Sequence, residues 1–174
     1  MFSVKINRYI THTKRLHVAR QTLAKFFEIC EVLGHKLGAF LVGLAPSFEK
    51  DIYCLDAFLS LLPDHHFAFE FRHDSWFSDD VFERFREQSN LALVMLGAQF
   101  DNNVACFKNF AYIRWRARST DPDVYSSEEL DYWARRIRQI STEADVFGYW
   151  NHDAYGPKNC LNLASRLADN RYLQ

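Results

Sequence analysis

Short apolar segments alternate along this chain with longer amphipathic segments, and this alternation limits the possible folds more than any other feature. The apolar segments have the length and composition of β-strands, and they lie at residues 2–7, 39–44, 67–72, 91–96, 111–116 and 145–150. Helical patterns or helix-start signals follow them at 17–34, 51–62, from 79, at 126–141 and from 157. The order predicts an α/β fold of about six parallel strand-helix units. Residues 1–174 are predicted to form a single domain, because no low-complexity stretch interrupts the pattern.

Several residues mark where the predicted helices begin and end. Ser126 and Glu129 form an S-x-x-E capping box, and Ser78 precedes two aspartates that suit the first turn of a helix. Pro157 suits the first position of the last helix, and Gly34 is predicted to end the first one.

Polar side chains recur on one face of four predicted strands, near their carboxyl-terminal ends. In "FAFEFR" (67–72), for example, phenylalanines alternate with Ala68, Glu70 and Arg72. The polar residues on the four strands and directly after the last are Lys5, Glu70, Arg72, Arg114, Arg116, Asn151 and Asp153. An isolated charge inside a parallel sheet costs several kcal/mol unless it is paired or hydrated. The pattern therefore predicts a curved sheet or (β/α) barrel whose polar faces meet at a water-accessible mouth.

The charges at this mouth do not cancel, because four cations face the carboxylates of Glu70 and Asp153. The excess predicts an anionic or polyhydroxyl ligand. Glu70 is the candidate general acid/base, and His73 is a second group able to exchange protons near neutral pH. Lys158, near the start of the last helix, is a candidate phosphate contact.

Each candidate also has a structural interpretation. Glu70 can neutralise a neighbouring arginine within a lattice of ion pairs, and His73 can hydrogen-bond the turn that follows it. Trp76 can serve as a platform for a sugar ring or pack beneath the next helix. The sequence leaves these alternatives open.

Composition argues against several classes of partner. A net charge of -1 with a pI near 6.6 gives no general attraction to nucleic acid or acidic membranes. The longest apolar run, from Leu37, is about half the length that spans a bilayer. The four cysteines are scattered, without metal-ligand spacing to a histidine, so no metal site is predicted. The sequence leaves any cofactor unknown. These features predict a reduced, soluble, cytoplasmic protein.

The segments match, in order, the strand motifs of a known family. They are "FSVKINRYITHTKRL", "LVGLAPSF", "FAFEFRHDSWF", "AYIRWRA" and "YWNHDAYGPKNCLNL". The chain resembles the YecE-like family, domain of unknown function 72, and E-F-R-H-x-S-W at 70–76 is the most specific match. The resemblance implies a TIM-barrel-like fold and no established reaction, although the family is described as related to sugar isomerases. It also implies a polar rim made of Lys5, Glu70, Arg72, His73, Arg114, Asn151 and Asp153.

The chain also departs from the family pattern. Gly43 and Ala45 stand where glutamine and proline are usual, and Arg116 stands where histidine is usual. The first strand resembles the third of the family, so a partial barrel equivalent to strands 3–8 is expected, without the first two units. Open sheet edges then predict self-association. Two functions stay open: an enzyme acting on a sugar or sugar-phosphate, and a non-catalytic barrel remnant or small-ligand binding module.

Overall fold

The computed structural model describes residues 1–97, 109–116, 125–151 and 154–169. The strands in this part of the chain are Phe2–Lys5 (β1), Leu37–Gly43 (β2), His66–Glu70 (β3), Leu91–Leu96 (β4), Phe110–Arg116 (β5) and Asp145–Asn151 (β6). The α-helices are Arg20–Cys30 (α1), Ile52–Leu59 (α2), Asp79–Glu87 (α3), Ser127–Ser141 (α4) and Gly156–Ala168 (α5). β1 to β4 are neighbours in chain order, and so are β5 and β6. The predicted alternation of strands and helices is therefore confirmed.

The chain forms two compact units. Of the described residues, the first unit contains 1–94 with 109–110. The second unit contains 95–97, 111–116, 125–151 and 154–169.

In the first unit the strands pair in parallel, and their register fixes which side chains share a face. Phe40 of β2 pairs with Phe67 of β3, which pairs in turn with Leu91 of β4. Because partners in a parallel ladder point to the same side, these residues form one apolar face. Gly43 pairs with Glu70 on the opposite face. The phenylalanines and Glu70 thus lie on opposite faces of the sheet, as the alternation predicts.

Aromatic rings fill the core between the apolar face and the helices. Phe27 of α1 lies 5.0 Å from Phe40 in a T-shaped arrangement, and Phe85 of α3 lies 5.2 Å from Phe69 in the same way. All four rings are buried. Edge-to-face packing of this kind contributes about 0.5–1.5 kcal/mol per pair beyond the area it buries.

The helix ends agree in part with those predicted from the sequence. The capping box of α4 is present in full, since Ser126 and Glu129 each bond the backbone of the other. Gly34 leaves the helical region with φ of 48°, but α1 has already ended at Cys30 and a 3₁₀ turn follows. Ser78 is the N-cap residue of α3, yet its hydroxyl makes no capping bond and instead accepts from Nζ of Lys50 at 3.0 Å.

In the second unit the core is built around Trp115 of β5. Its ring stacks on Trp150 of β6 at 4.5 Å and meets Trp133 of α4 edge-on at 5.2 Å. Gly97 and Gly148 lie against this ring, and a β-carbon at Gly148 would come within 2.8 Å of it. Trp115 is 1% exposed, so the glycines provide the space that the indole occupies.

No helix in the described ranges is both long enough and apolar enough to cross a membrane.

Candidate functional site

Lys5 and Glu70 share the polar face of the first unit at the carboxyl-terminal ends of β1 and β3. Lys5 pairs with Leu41, and Gly43, two residues further along β2, pairs with Glu70. A β-carbon at Gly43 would lie 3.7 Å from Cε of Lys5, so the lysine side chain extends over this glycine. Lys5 and Glu70 therefore share a face as predicted, but Glu70 is 1% exposed, so its carboxylate is not open to water as the sequence predicts.

Arg72 binds Glu70 directly. Its Nε donates to Oε1 of Glu70 at 2.9 Å, and 1% of the Glu70 side chain is exposed, against 32% for Arg72. The Nε bond uses one of the five N–H donors of the guanidinium group. A buried carboxylate thus holds a partly exposed cation at the end of β3.

His12 is part of the same region, and the sequence reading did not identify it. It lies in the single turn of π-helix Tyr9–Thr13 that follows β1, where its Nδ1 is 2.9 Å from the hydroxyl of buried Thr11. Partial burial lowers the pKa of His12 below its usual 6.5.

Three cations contribute to the same shift. The charges of Arg8, Lys5 and Arg72 each lower the pKa of His12 further. Three cations therefore lie near the imidazole of His12, in the region where β1 and β3 end. The position of His12 after the first strand was a sequence signal, because loops after barrel strands carry binding residues. The π-helical turn that places its side chain has no recognisable sequence pattern.

His73 and Trp76 adopt the structural alternatives considered for them. His73 caps the 3₁₀ turn Asp74–Trp76, because its Nδ1 accepts from the backbone N–H of Ser75 at 3.3 Å. The same Nδ1 lies 2.9 Å from the Ser75 hydroxyl. Trp76 is fully buried, donates from Nε1 to the Phe48 carbonyl at 2.6 Å and stacks on Phe71 at 4.7 Å. It is a core residue and offers no open face to a sugar.

In the second unit, Arg114 and Arg116 alternate with Trp115 along β5. Tyr112 belongs to their face of the strand, and Tyr149 of β6 stacks on it at 5.1 Å. The two arginines therefore share a face that includes Tyr112 and lies opposite the Trp115 core.

The remaining candidates lie near the start of α5. Asn151, the last residue of β6, and Lys158, in the first turn of α5, are both exposed. Asp153 lies outside the described residues. Asn159 is buried, and its Oδ1 accepts from the backbone N–H of Tyr125 at 3.3 Å. This hydrogen bond gives the Asn159 side chain a structural role.

Parallel strands that alternate with helices and carry polar residues where they end define the chain as an α/β protein of partial (β/α)-barrel type. The model of the family described as protein of unknown function DUF72 matches residues 1–173. The chain belongs to this family, as its motifs predict.

Solved structures of two DUF72 family proteins are similar to the chain. The protein from Thermotoga maritima MSB8 has a TM-score of 0.75 and 21% identity, over 97% of this chain and 74% of its own. The protein from Enterococcus faecalis V583 has a TM-score of 0.72 and 18% identity, with the same two coverages. No curated protein matches the chain. At these identities the similarity establishes the fold, and the family description names no activity.

Proposed function

We propose that the carboxyl-terminal ends of β1–β3 bind an anionic small molecule, with a sugar-phosphate as its chemical class. The observation that carries the proposal is that two cations lie at these strand ends, Arg72 bonded to Glu70 and Lys5 beside Gly43. After burial, the charges of Arg8, Lys5 and Arg72 also lower the pKa of His12, and a positive potential of this kind attracts an anion.

The arrangement of Arg72 supports the same ligand class. Glu70 holds the guanidinium group by one bond, and the remaining N–H donors keep the planar geometry that suits a phosphate or carboxylate. Lys5 adds a second positive charge beside Gly43, where the missing side chain leaves room above the sheet. Together they provide one directional and one flexible contact for an anion.

The second unit carries its own set of sequence-predicted ligand contacts. Arg114 and Arg116 share one face of β5, and the other candidates follow β6. The predicted ligand contacts of this unit are Arg114, Arg116, Asn151, Asp153 and Lys158. They stay predictions.

The proposal extends from binding to catalysis. Glu70 is the proposed general acid/base for proton transfer on the sugar, and His73 is the second proposed proton carrier. A second function, ligand binding without catalysis, is favoured by the bonds that both residues already make. Oε1 of Glu70 accepts from Arg72, and Nδ1 of His73 accepts from Ser75.

Binding is tested by thermal shift with a hexose phosphate, the parent hexose and inorganic phosphate. We expect the hexose phosphate to raise the melting temperature of the wild type, and Lys5→Met to abolish that rise. Lys25→Met is the matched control, because Lys25 is an exposed lysine on α1. Equal stabilisation of Lys5→Met and wild type would refute the proposed site. A response to phosphate alone would remove the sugar from the ligand class.

Catalysis is tested separately by NMR of the hexose phosphate in D₂O. If Glu70 moves a proton on the sugar, the wild type will catalyse deuterium incorporation next to the carbonyl carbon, and Glu70→Gln will not. Retained binding without incorporation would support the binding module and exclude the proposed proton transfer.

A further inference from the structure

A histidine, an aspartate and a cysteine from two separate segments meet on the first unit, and none of them belongs to the Glu70–Arg72 pair. The ligand-donor atoms of His17, Asp51 and Cys54 all lie within 4.8 Å of one another. Cys54 is buried, Asp51 is partly buried and His17 is exposed. One side of the group is thus fixed in the protein, and the other is open to solvent.

The start of α2 holds two of these side chains in place. Asp51 is the N-cap residue, and its Oδ1 accepts from the backbone N–H of Cys54 at 2.9 Å. The spacing of three residues puts both side chains on the same side of the first helical turn. Sγ of Cys54 donates to the carbonyl oxygen of Arg15 at 3.3 Å, which ties α2 to the segment before His17.

An unusual backbone conformation brings the histidine to this position. Arg15 and Leu16 have φ of 45° and 68°, in the left-handed region that residues with a side chain rarely adopt. Leu16 is buried and its N–H donates to the Ile10 carbonyl at 3.0 Å, so the turn is anchored. His17 follows directly, with its N–H bonded to the Lys14 carbonyl at 2.8 Å.

We propose that His17, Asp51 and Cys54 form a binding site for a divalent transition metal, of which zinc is the expected one. Imidazole nitrogen, thiolate sulfur and carboxylate oxygen are the three ligand types that Zn²⁺ takes in proteins, whereas Ca²⁺ and Mg²⁺ prefer oxygen alone. The proposal uses none of the residues assigned to anion binding. Each can therefore fail without the other.

The distances fit a small contraction onto a metal ion. In a tetrahedral zinc site the ligand atoms lie about 3.3–3.6 Å apart, given Zn–S near 2.3 Å and Zn–N or Zn–O near 2.0–2.1 Å. His17 is exposed, so we expect its side chain to supply most of the movement. Water completes the fourth position on that open side.

Binding replaces one proton with the metal. The thiol of Cys54 loses its S–H proton to solvent, and the sulfur exchanges its hydrogen bond to the Arg15 carbonyl for a bond to the metal. The thiolate and the Asp51 carboxylate together balance the two charges of the ion, while His17 binds in its neutral form. No oxidation or reduction takes place.

The site is tested with Co²⁺, which replaces zinc and gives an absorption band when a thiolate binds it. We expect one equivalent of Co²⁺ to produce the thiolate-to-cobalt band in the wild type and Zn²⁺ to displace it. Cys54→Ser should remove the band. His17→Ala should weaken binding by more than the roughly 10–100-fold that loss of an outer-shell partner costs.

Matched controls separate this site from other thiols. Cys30→Ser removes a buried thiol and Cys160→Ser an exposed one, and both variants should keep the band. Asp51→Asn keeps an N-cap side chain while it removes a charged ligand, so weakened binding there would not reflect loss of the helix cap. A band that persists in Cys54→Ser, or that is unchanged in both His17→Ala and Asp51→Asn, would overturn the proposal, as would the absence of any band.

Discussion

Arg72 reaches back over two residues to place its Nε 2.9 Å from Oε1 of Glu70, and the pair is unequally buried. β3 ends at Glu70, so the carboxylate belongs to the rigid sheet while the arginine begins the loop. The partly exposed guanidinium of Arg72 is therefore oriented by a buried carboxylate of the sheet. Preorganisation of this kind reduces the entropy lost when an anion binds.

The first prediction concerns the stability of this pair. Arg72→Met removes a counter-charge from a carboxylate that is 1% exposed, and we expect it to lower the free energy of unfolding. Loss of one partner of a fully buried pair costs about 3–5 kcal/mol, and the partial exposure of Arg72 reduces the expected cost to about 1–3 kcal/mol. Urea unfolding measures the change.

The double variant Glu70→Gln with Arg72→Met is the control for that prediction. Because it removes the buried charge together with its partner, it should be less destabilised than Arg72→Met alone. Arg72→Met with wild-type stability would show that the ion pair does not hold the end of β3.

The second prediction is a pH dependence due to His12. Its pKa in the folded protein is below 6.5, first because of burial and then because of Arg8, Lys5 and Arg72. The unfolded chain therefore binds a proton at a higher pH than the folded chain, so stability rises with pH in this range. The contribution is fully present above 6.5 and is lost as the pH falls from 6.5 to the lowered value.

Comparison of the wild type with His12→Asn by urea unfolding on both sides of pH 6.5 isolates this contribution. NMR titration of the imidazole adds a direct measurement. Lys5→Met should raise the pKa of His12 towards its usual value, and Lys25→Met should leave it unchanged. If the pKa is the same in Lys5→Met and wild type, the lysine does not contribute to the local potential.

The sequence predicted the parts of this structure that depend on strand and helix periodicity. Strand alternation placed Lys5 and Glu70 on one face, because a period of two leaves no other choice once the phenylalanines face the helices. The capping box of α4 was equally predictable, since both of its bonds are formed between residues three apart.

Features that depend on contacts between distant segments could not be predicted in this way. His12 is in a π-helical turn, and His17 reaches Cys54 through two left-handed residues that no pattern marks. Ser78 has the identity and position of a helix cap, but Lys50, 28 residues earlier, binds its hydroxyl. Local rules fail there because a tertiary partner competes with the backbone for the same side chain.

The third prediction separates a core role of Trp76 from a ligand-binding role. Trp76→Phe removes the Nε1–H bond to the Phe48 carbonyl, which we expect to cost about 1–3 kcal/mol. The rise in melting temperature caused by the hexose phosphate should stay the same, because the indole is fully buried. Thermal shift with and without the ligand measures both effects. A lost ligand response at unchanged stability would make Trp76 a binding platform.

The last prediction concerns the glycine that lies against Trp115. A β-carbon at Gly148 would come within 2.8 Å of Cζ3 and 3.1 Å of Cη2 of that ring, and the indole has little freedom to retreat because it stacks on Trp150. We therefore expect Gly148→Ala to lower the free energy of unfolding by about 1–3 kcal/mol, the usual cost of overpacking. Gly43→Ala is the matched control, since its β-carbon would meet Lys5 at an ordinary contact distance of 3.7 Å and should therefore cost less stability than Gly148→Ala. Urea unfolding of both variants decides the matter, and equal stabilities would mean that the Trp115 core yields more readily than its packing indicates.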